Sequence, residues 1–475
     1  MTQGTDAPLR RVLRAARIDA EAQAPVAIVG AGACGLTAAL MLHDAGVDCV
    51  VLERDEQPSG STALSSGFIP APGTRVQRER GVEDSPERFA ADIQAKAHGR
   101  AAPALVRAYT EAIGPALDAL QARHGLQWTL LDGFLYPGHG VHRMHSLPQK
   151  TGAALMAALQ AAADAAGIPV LTQALAETLW LDDADRAIGL GVRRPDGREE
   201  RIACEALLLA CNGFGGNTAM VRELLPEMAE ATFGGHVGND GSAILWGRAL
   251  GARLRDLGGY QGHGSWVTPQ GALMSWAVMM EGGVQLNREG RRFHDETQGY
   301  SEAAVKVLAQ PGGVAWNVFD APLLALAREF PDFREAEAAG ALRRCDTVAQ
   351  LAACIGCDAA ALQATLDALR RIDPQPDGRV FQRALAAPYF AVKVTGALFH
   401  TQGGLDVAPD MRVLRADGTA LPNLLAAGGA AGGVSGDAVW GYLSGNGLLS
   451  AVAGGAIAAR TAAALLDTGR NDHGE

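Results

Sequence analysis

The clearest alternation of apolar and polar segments begins at Pro25. VAIVG reads as a buried strand, GAGACG as a tight turn, LTAALMLHDAG as an alanine-rich helix, and VDCVVLE as a second buried strand ending at Glu53. Continuous apolar runs bounded by glycine belong to strands covered on both faces, so this segment is one βαβ unit of a parallel sheet. Two later apolar runs also end in glycine turns: EALLLACNGFGGN, from Glu205 to Asn217, and NLLAAGGAAGG, from Asn423 to Gly433. Between them VAWNVFD has the pattern of a strand, and DTVAQLAACIGCDAAALQATLDALRRI that of two short helices joined by a turn at Gly356. The run GLLSAVAGGAIAARTAAALL from Gly447 is broken by Arg460 and rich in glycine and alanine, which predicts a buried helix rather than a membrane span.

The first turn carries chemistry. Gly30 permits the tight bend, Gly32 lets backbone approach a pyrophosphate, Gly35 lets the helix pack closely on the strand, and Glu53 stands where a carboxylate meets a ribose hydroxyl. NAD and FAD both use this fingerprint. The stretch SGSTALSSGFIPA, with Ser61, Thr62, Ser66 and Gly67, is small and hydroxyl-rich, suited to hydrogen bonds with a long diphosphate and the edge of a polar ring system. With the later junctions at Gly213 and at Gly428 and Gly429, the pattern implies a large cofactor touched by both ends of the chain.

Composition narrows the setting. A chain of 475 residues, 48% hydrophobic and 20% charged, is long enough for two or three domains with sizeable cores. Lys and Arg are outnumbered 41 to 52 and form no basic stripe, which excludes a nucleic-acid phosphate track. Seven cysteines, an odd number scattered through apolar segments, read as free buried thiols in a reducing compartment. The opening MTQGTDAPLRRVLRAARIDAEAQ lacks the apolar core of a secretion signal, so a cytoplasmic protein is expected. His139, His142 and His145 crowd HGVHRMH, but no Cys or carboxylate completes a ligand set, and no metal is expected. The sequence has no haem CxxCH and no iron-sulfur cysteine run, so electrons must be exchanged with a separate partner.

The segments VAIVGAGACGLTAAL, GSTALSSG, LLLACNGFGGN, GNDGSAILWGRALGA, LNREGRRFHDE, PYFAVKV, HTQGGLDV and LLAAGG, in that order, resemble the flavoprotein family that includes soluble fumarate reductases, succinate dehydrogenase flavoprotein subunits and 3-ketosteroid dehydrogenases. The resemblance covers residues 25 to about 465. It implies an α/β fold: a Rossmann-like FAD-binding domain, two-part in sequence, with an inserted α+β cap domain and the active site at their junction. The expected division is an N-terminal extension at 1–23, the FAD-binding domain at 24–262 and 400–467, the cap at 263–399 and a C-terminal tail at 468–475. Gly213, Asn217, Asp240, Gly404, Gly428, Gly429 and Asn446 are the further cofactor-binding positions implied, with the start of the final helix near Asn446 aimed at the flavin's pyrimidine edge. Members that attach FAD covalently use a histidine near GSTALSSG; none stands there, so FAD is expected to be non-covalent. His400 is implied where the chain returns from cap to FAD domain, facing the flavin.

At two positions the chain departs from the carboxylate-binding members. The family's proton-donating arginine aligns with Tyr300 in RRFHDETQGYSEA, and its second substrate arginine with Tyr442 in GYLSGNGLL. Neutral phenols suit an anionic diacid poorly, but they can hydrogen-bond a ketone oxygen and stabilise a developing enolate. The pattern resembles the 3-ketosteroid dehydrogenases, and the spacing GYxSG is closer to the Δ4 than to the Δ1 type. The reading is then α,β-dehydrogenation of a cyclic ketone, or the reverse enone reduction, with flavin N5 as hydride acceptor. Tyr300 is its base, Tyr442 and Ser444 are donors to the carbonyl, and His263 and Tyr136 are the candidates to support the base, because a free phenol titrates near 10. The alternative is a fumarate reductase-like enzyme acting on a small carboxylate. A non-catalytic flavin-binding protein is a third reading.

Overall fold

The structure is a computed structural model that describes residues 10–369 and 375–472. It divides into two compact units: one takes the described residues up to Leu224, Gly235–Gly259 and those from His400 onward, and the other Leu225–Gly234 and Tyr260–Phe399.

The first unit is built on a nine-stranded sheet. Its main path runs Arg11–Arg14, Leu175–Leu181, Ala187–Arg193, Glu199–Leu209, Ala22–Val29, Cys49–Leu52 and Val170–Leu171. Ala420–Ala426 pairs in parallel with the end of Glu199–Leu209, and Arg412–Leu414 pairs with Ala420–Ala426. The register sets where this sheet can bind a ligand. Val29 pairs with Leu52 and with Leu209, and Leu209 pairs with Ala426, so four parallel strands end level with one another. The glycine turns at Gly30, Gly213 and Gly428, together with Glu53, therefore leave the sheet along one carboxyl edge, the edge at which open α/β sheets bind ligands.

The helix Ala33–Asp44 follows the first turn, and the final helix Asn446–Asp472 packs against it. A Cβ added at Gly455 would lie 2.4 Å from the Cys34 carbonyl oxygen, so the glycine and alanine of the final run allow two helices to approach closely. Its stretch Asn446–Thr468 is long and apolar enough to cross a membrane, and 61% of it is buried within the protein.

The second unit holds a seven-stranded sheet in the order Ala272–Leu273, Tyr260–Val267, Tyr389–Thr401, Val314–Phe319, Val284–Leu286, with Thr232–Phe233 and Leu342–Cys345 also on Tyr389–Thr401. The helix Tyr300–Leu308 packs on Tyr260–Val267. The two helices expected around Gly356 are Val348–Ile355 and Ala359–Ala368, with Gly356 in the left-handed conformation at φ 84°.

Several boundaries differ from the sequence expectation, each for a pairing reason. A division between 262 and 263 would cut the strand Tyr260–Val267, which pairs as a whole within the second unit's sheet. Leu225–Gly234 joins the second unit because Thr232 and Phe233 pair with Ala397 and Leu398. The expected N-terminal extension contributes a strand of the first sheet, with Arg11 opposite Thr178 and Arg14 opposite Leu181. The expected C-terminal tail is helical as far as Asp472. All seven cysteines are unpaired, but only Cys34, Cys49, Cys204 and Cys345 are buried; Cys211, Cys354 and Cys357 are partly exposed.

Candidate active site

At the carboxyl edge of the first unit, Gly30 has φ 107° and a Cβ there would lie 2.5 Å from the Ala210 carbonyl oxygen, so only glycine makes this turn. Gly32 then starts the helix Ala33–Asp44 in an extended conformation and has no side chain to cap the first turn, whose N–H groups suit an anion. Glu53 is buried, and its two oxygens accept the N–H groups of Ala31 and Asp55, each at 3.0 Å. Burial pushes its carboxyl above the usual range against those two bonds. Thr62 Oγ1 accepts the Ala33 N–H at 3.2 Å. Ser61 Oγ accepts from His236 N at 3.1 Å and Asn239 Nδ2 at 2.8 Å, closing the 236–240 loop over this segment. Ser66 is half-buried between them and Gly67, and Gly67 lies against the Thr151 carbonyl.

Two residues expected near the cofactor are engaged in closing their own loops. Asn217 accepts the Met220 N–H at 3.1 Å and donates to the Asp240 carbonyl at 3.0 Å. Asp240 accepts from Ser242 N at 3.0 Å and pairs with Arg10 at 2.7 Å. Gly404 sits in a two-stranded ladder opposite Arg255, against Ala430.

The other positions converge. Gly213 and Gly429 lie against each other and against Thr401 and His400, with Gly428 beside Cys34. His400 and the Tyr442 hydroxyl flank Gly447 in the first turn of the final helix: a Cβ at Gly447 would lie 2.8 Å from His400 Cδ2 and 3.5 Å from Tyr442 Oη. The Gly447 N–H donates to Tyr442 Oη at 3.3 Å. Burial raises the Tyr442 phenol, while the N–H groups of Gly447 and Gly445 pull it down. Burial lowers His400 to about 4, so its imidazole is neutral at ordinary pH. Ser444 and Asn446 are buried in the same loop. Asn446 Nδ2 donates to Ser435 Oγ at 3.0 Å, and Ser435 Oγ donates to Gln402 Oε1 at 2.8 Å. At the two ends of this chain, Asn446 Oδ1 and Gln402 Nε2 are buried and have no partner among the described residues.

An acceptor and a donor left open in a buried site, together with the start of the helix Ala33–Asp44, which its own N-cap glycine does not cap, and a buried acid in the same unit, fit a bound FAD. The first helix would hold its diphosphate, Glu53 its ribose, and Asn446 and Gln402 polar atoms of its ring.

In the second unit, Tyr300 opens the helix Tyr300–Leu308, and its ring stacks on that of His263 with centroids 4.7 Å apart and planes 20° from parallel. Trp276 meets His263 edge-on at 5.8 Å and 87°. His263 Nδ1 accepts the Ser265 N–H at 3.1 Å, and burial lowers the ring to about 3, so it presents a neutral face to Tyr300. Tyr136 belongs to the first unit, where it meets Phe134 at 4.5 Å and Phe68 at 6.1 Å; burial raises its phenol. His145 is engaged by Thr74 Oγ1 at 2.7 Å and the Arg143 carbonyl at 2.9 Å.

A family profile described as an FAD binding domain matches residues 25–448. The chain belongs to this FAD-binding family. As a member, it is a flavin-dependent oxidoreductase with FAD as cofactor. It is 28% identical to a probable fumarate reductase of Shewanella frigidimarina over 453 residues, which covers 92% of this chain and 74% of the relative. It is 25% identical to a 4-oxocyclohexanecarboxylate 2-dehydrogenase of Sinomonas cyclohexanicum over 518 residues, covering 85% of this chain and 87% of that protein. Its fold is similar to that of a 3-ketosteroid Δ4-(5α)-dehydrogenase of Rhodococcus jostii RHA1, with a TM-score of 0.76 and 24% identity over 96% of this chain and 99% of that one.

Sequence reasoning missed Thr401, Gln402 and Ser435. The first two stand inside HTQGGLDV, so proximity to His400 was the available signal; Ser435 had none.

Proposed function

We propose that this oxidoreductase removes hydrogen from the two carbons α and β to the carbonyl of a cyclic, 3-ketosteroid-like ketone to give the enone, or runs the same reaction in reverse. The observation that carries this reading is Tyr442: a buried, neutral phenol whose oxygen receives the Gly447 N–H at 3.3 Å beside a neutral imidazole. It stands at the position that the family resemblance aligns with a substrate-binding arginine. A phenol whose oxygen already accepts an N–H is a strengthened donor to a ketone oxygen, while a dianion there would be desolvated with no cation facing it from this loop.

On this reading the Tyr442 hydroxyl, with Ser444, donates to the carbonyl and strengthens that bond as the enolate develops. Tyr300 takes the α-proton, and His263 holds its ring by stacking. FAD, bound without a covalent link, supplies the two-electron acceptor or donor for hydride. A separate partner exchanges electrons with the protein, and seven unpaired thiols support a reducing, cytoplasmic setting. The 25% identity to a dehydrogenase named for a cyclic ketone supports the ketone.

The second reading, reduction of a small unsaturated carboxylate, is favoured by the 28% identity to a probable fumarate reductase. Anaerobic mixing of the purified yellow protein with steroid ketones, cyclohexanones and dicarboxylates separates the two. Flavin bleaching by saturated ketones is expected. Reoxidation of the reduced protein by fumarate or urocanate but not by enones would replace the first reading with the second.

A further inference from the structure

The loop that carries Tyr442 and Ser444 is fixed from behind by a chain of buried charges. Arg143 is buried with no exposed side-chain surface, and its guanidinium makes a two-pronged contact with Asp84, Nε to Oδ2 at 2.9 Å and Nη2 to Oδ1 at 3.0 Å. Its Nη1 donates to Asp92 and, at 3.2 Å, to His139 Nδ1. A histidine that accepts at Nδ1 carries its proton on Nε2, and His139 Nε2 lies 3.0 Å from the Ser444 carbonyl oxygen, to which it donates. The imidazole also stacks on Phe89, 6.0 Å between centroids. Burial and the adjacent Arg143 cation lower His139 to about 4, so neither its neutral form nor its tautomer changes near neutral pH.

The far side of that peptide bears on Tyr442. In a trans peptide the C=O of one residue and the N–H of the next point in opposite directions. With the Ser444 C=O held by His139, the Gly445 N–H faces away from His139, and with the Gly447 N–H, which donates to the Tyr442 hydroxyl oxygen at 3.3 Å, it is one of the two main-chain groups that favour ionisation of that phenol. Each N–H donated to a phenol oxygen favours the phenolate and makes the O–H a stronger donor. The groups surrounding the phenol are then two main-chain N–H groups and the imidazole of His400, with His139, Arg143, Asp84 and Asp92 behind the peptide.

The geometry points to His139 as a positioning residue that sets the hydrogen-bond strength of Tyr442 through the Ser444–Gly445 peptide, with Asp84, Asp92 and Arg143 fixing its tautomer. This rests on the reading of Tyr442 as the donor to the substrate carbonyl, but its test does not require a substrate.

Tyr442 is replaced by 3,5-difluorotyrosine, whose phenol is more acidic than tyrosine's, and its ionisation is followed by fluorine NMR in the FAD-loaded protein. The backgrounds are the parent, His139→Phe, which keeps a ring against Phe89 but donates nothing, and His139→Gln, whose amide can still donate to Ser444. The phenol is expected to titrate about 1 to 2 pH units higher in His139→Phe and to return close to the parent in His139→Gln. Equal titration in all three overturns the proposal, as does a shift in His139→Gln as large as in His139→Phe. If His139→Phe does not fold, an amide-to-ester replacement that removes only the Gly445 N–H must give the same rise, and no rise there overturns it. A titration shift in a protein that no ketone bleaches would sink the proposed substrate and leave this coupling standing.

Discussion

Each unit buries an ionic triad, and the two are centred on opposite charges, Arg143 in the first and Glu296 in the second, where Arg292 also reaches Asp377 at 2.9 Å. In the first, Arg143 is held between Asp84 and Asp92; in the second, Glu296 is held between Arg292 and Arg379. The first triad leads through His139 to a peptide that faces Tyr442. The second ends in the fold: Arg379 donates to the carbonyls of Met279 at 2.6 Å and Gly283 at 3.0 Å, and Glu296 accepts the Gln285 N–H at 2.9 Å. The two tyrosines differ in the same way, since Tyr442 receives main-chain N–H groups and Tyr300 rests on the ring of another side chain. One unit sets its phenol through the backbone and the other through side-chain packing. On the proposed reading, buried charges serve a reactive group in one case and a scaffold in the other.

The sharpest test of that contrast uses the two tyrosines. If Tyr300 is the base, Tyr300→Phe keeps the stacked ring and deletes the proton acceptor, so flavin reduction by a saturated cyclic ketone should slow by roughly 10²- to 10⁴-fold with FAD still bound. Tyr442→Phe should cost on the order of 10²-fold, mainly in the chemical step. Stopped-flow bleaching reads both, and wild-type rates in either variant would remove that residue from the site.

Breaking the triads comes next. Glu296→Gln leaves the buried Arg379 guanidinium short of its carboxylate, while Arg292 keeps Asp377 at 2.9 Å, and should cost about 3 to 5 kcal/mol, read as a lower urea midpoint in the transition that reports the second unit. The ionisation of residue 442 should not move. Asp84→Asn should destabilise the first unit by a similar amount and should also move that ionisation. If both substitutions shift it, or neither does, the two triads do not differ in function.

The smallest effect per group is acid sensitivity, expected in both units. Burial lowers His139, His145, His294 and His400 to about 4 and His263 to about 3, all below the ordinary 6.5. The unfolded chain therefore binds more protons over that interval, so their contribution is intact above 6.5 and drains as pH falls toward the folded values. About 1 kcal/mol should be lost for each by pH ~5.5. Asp256, pushed up to about 6 chiefly by burial, acts in the opposite sense between 3.8 and 6. Thermal melts that hold level from pH 7 to about 5 would contradict the balance of five against one.

The part of the molecule that sequence reading reached is the part with local spacing. Gly30 to Glu53 is a single βαβ unit, and its glycines and acid recur at distances that pyrophosphate and ribose impose. Gln402, Ser435 and Asn446 form a hydrogen-bonded chain across three separate segments, and His139 reaches Ser444 from 305 positions away. Partners so far apart have no period, and each looks like an ordinary polar residue in its own segment. The unit boundary was misjudged for a related reason: Thr232–Phe233 is too short to read as a strand, yet its pairing with Ala397 and Leu398 places the whole segment. Asn217 and Asp240 lie in glycine-rich turns of the kind that meet phosphates, where loop closure uses the same polar side chains.

The pairing of Leu207 to Leu209 with Leu424 to Ala426 has a bearing on how the protein is made. At ribosomal rates of roughly 5 to 20 residues per second, the strand Glu199–Leu209 emerges on the order of tens of seconds before its partner. During that wait its last residues present an open edge, and the loop that carries Tyr442 does not yet exist. The segment from Tyr260 to Phe399 is complete earlier and can fold first, so the flavin-binding unit, though it begins the chain, is the one that finishes last.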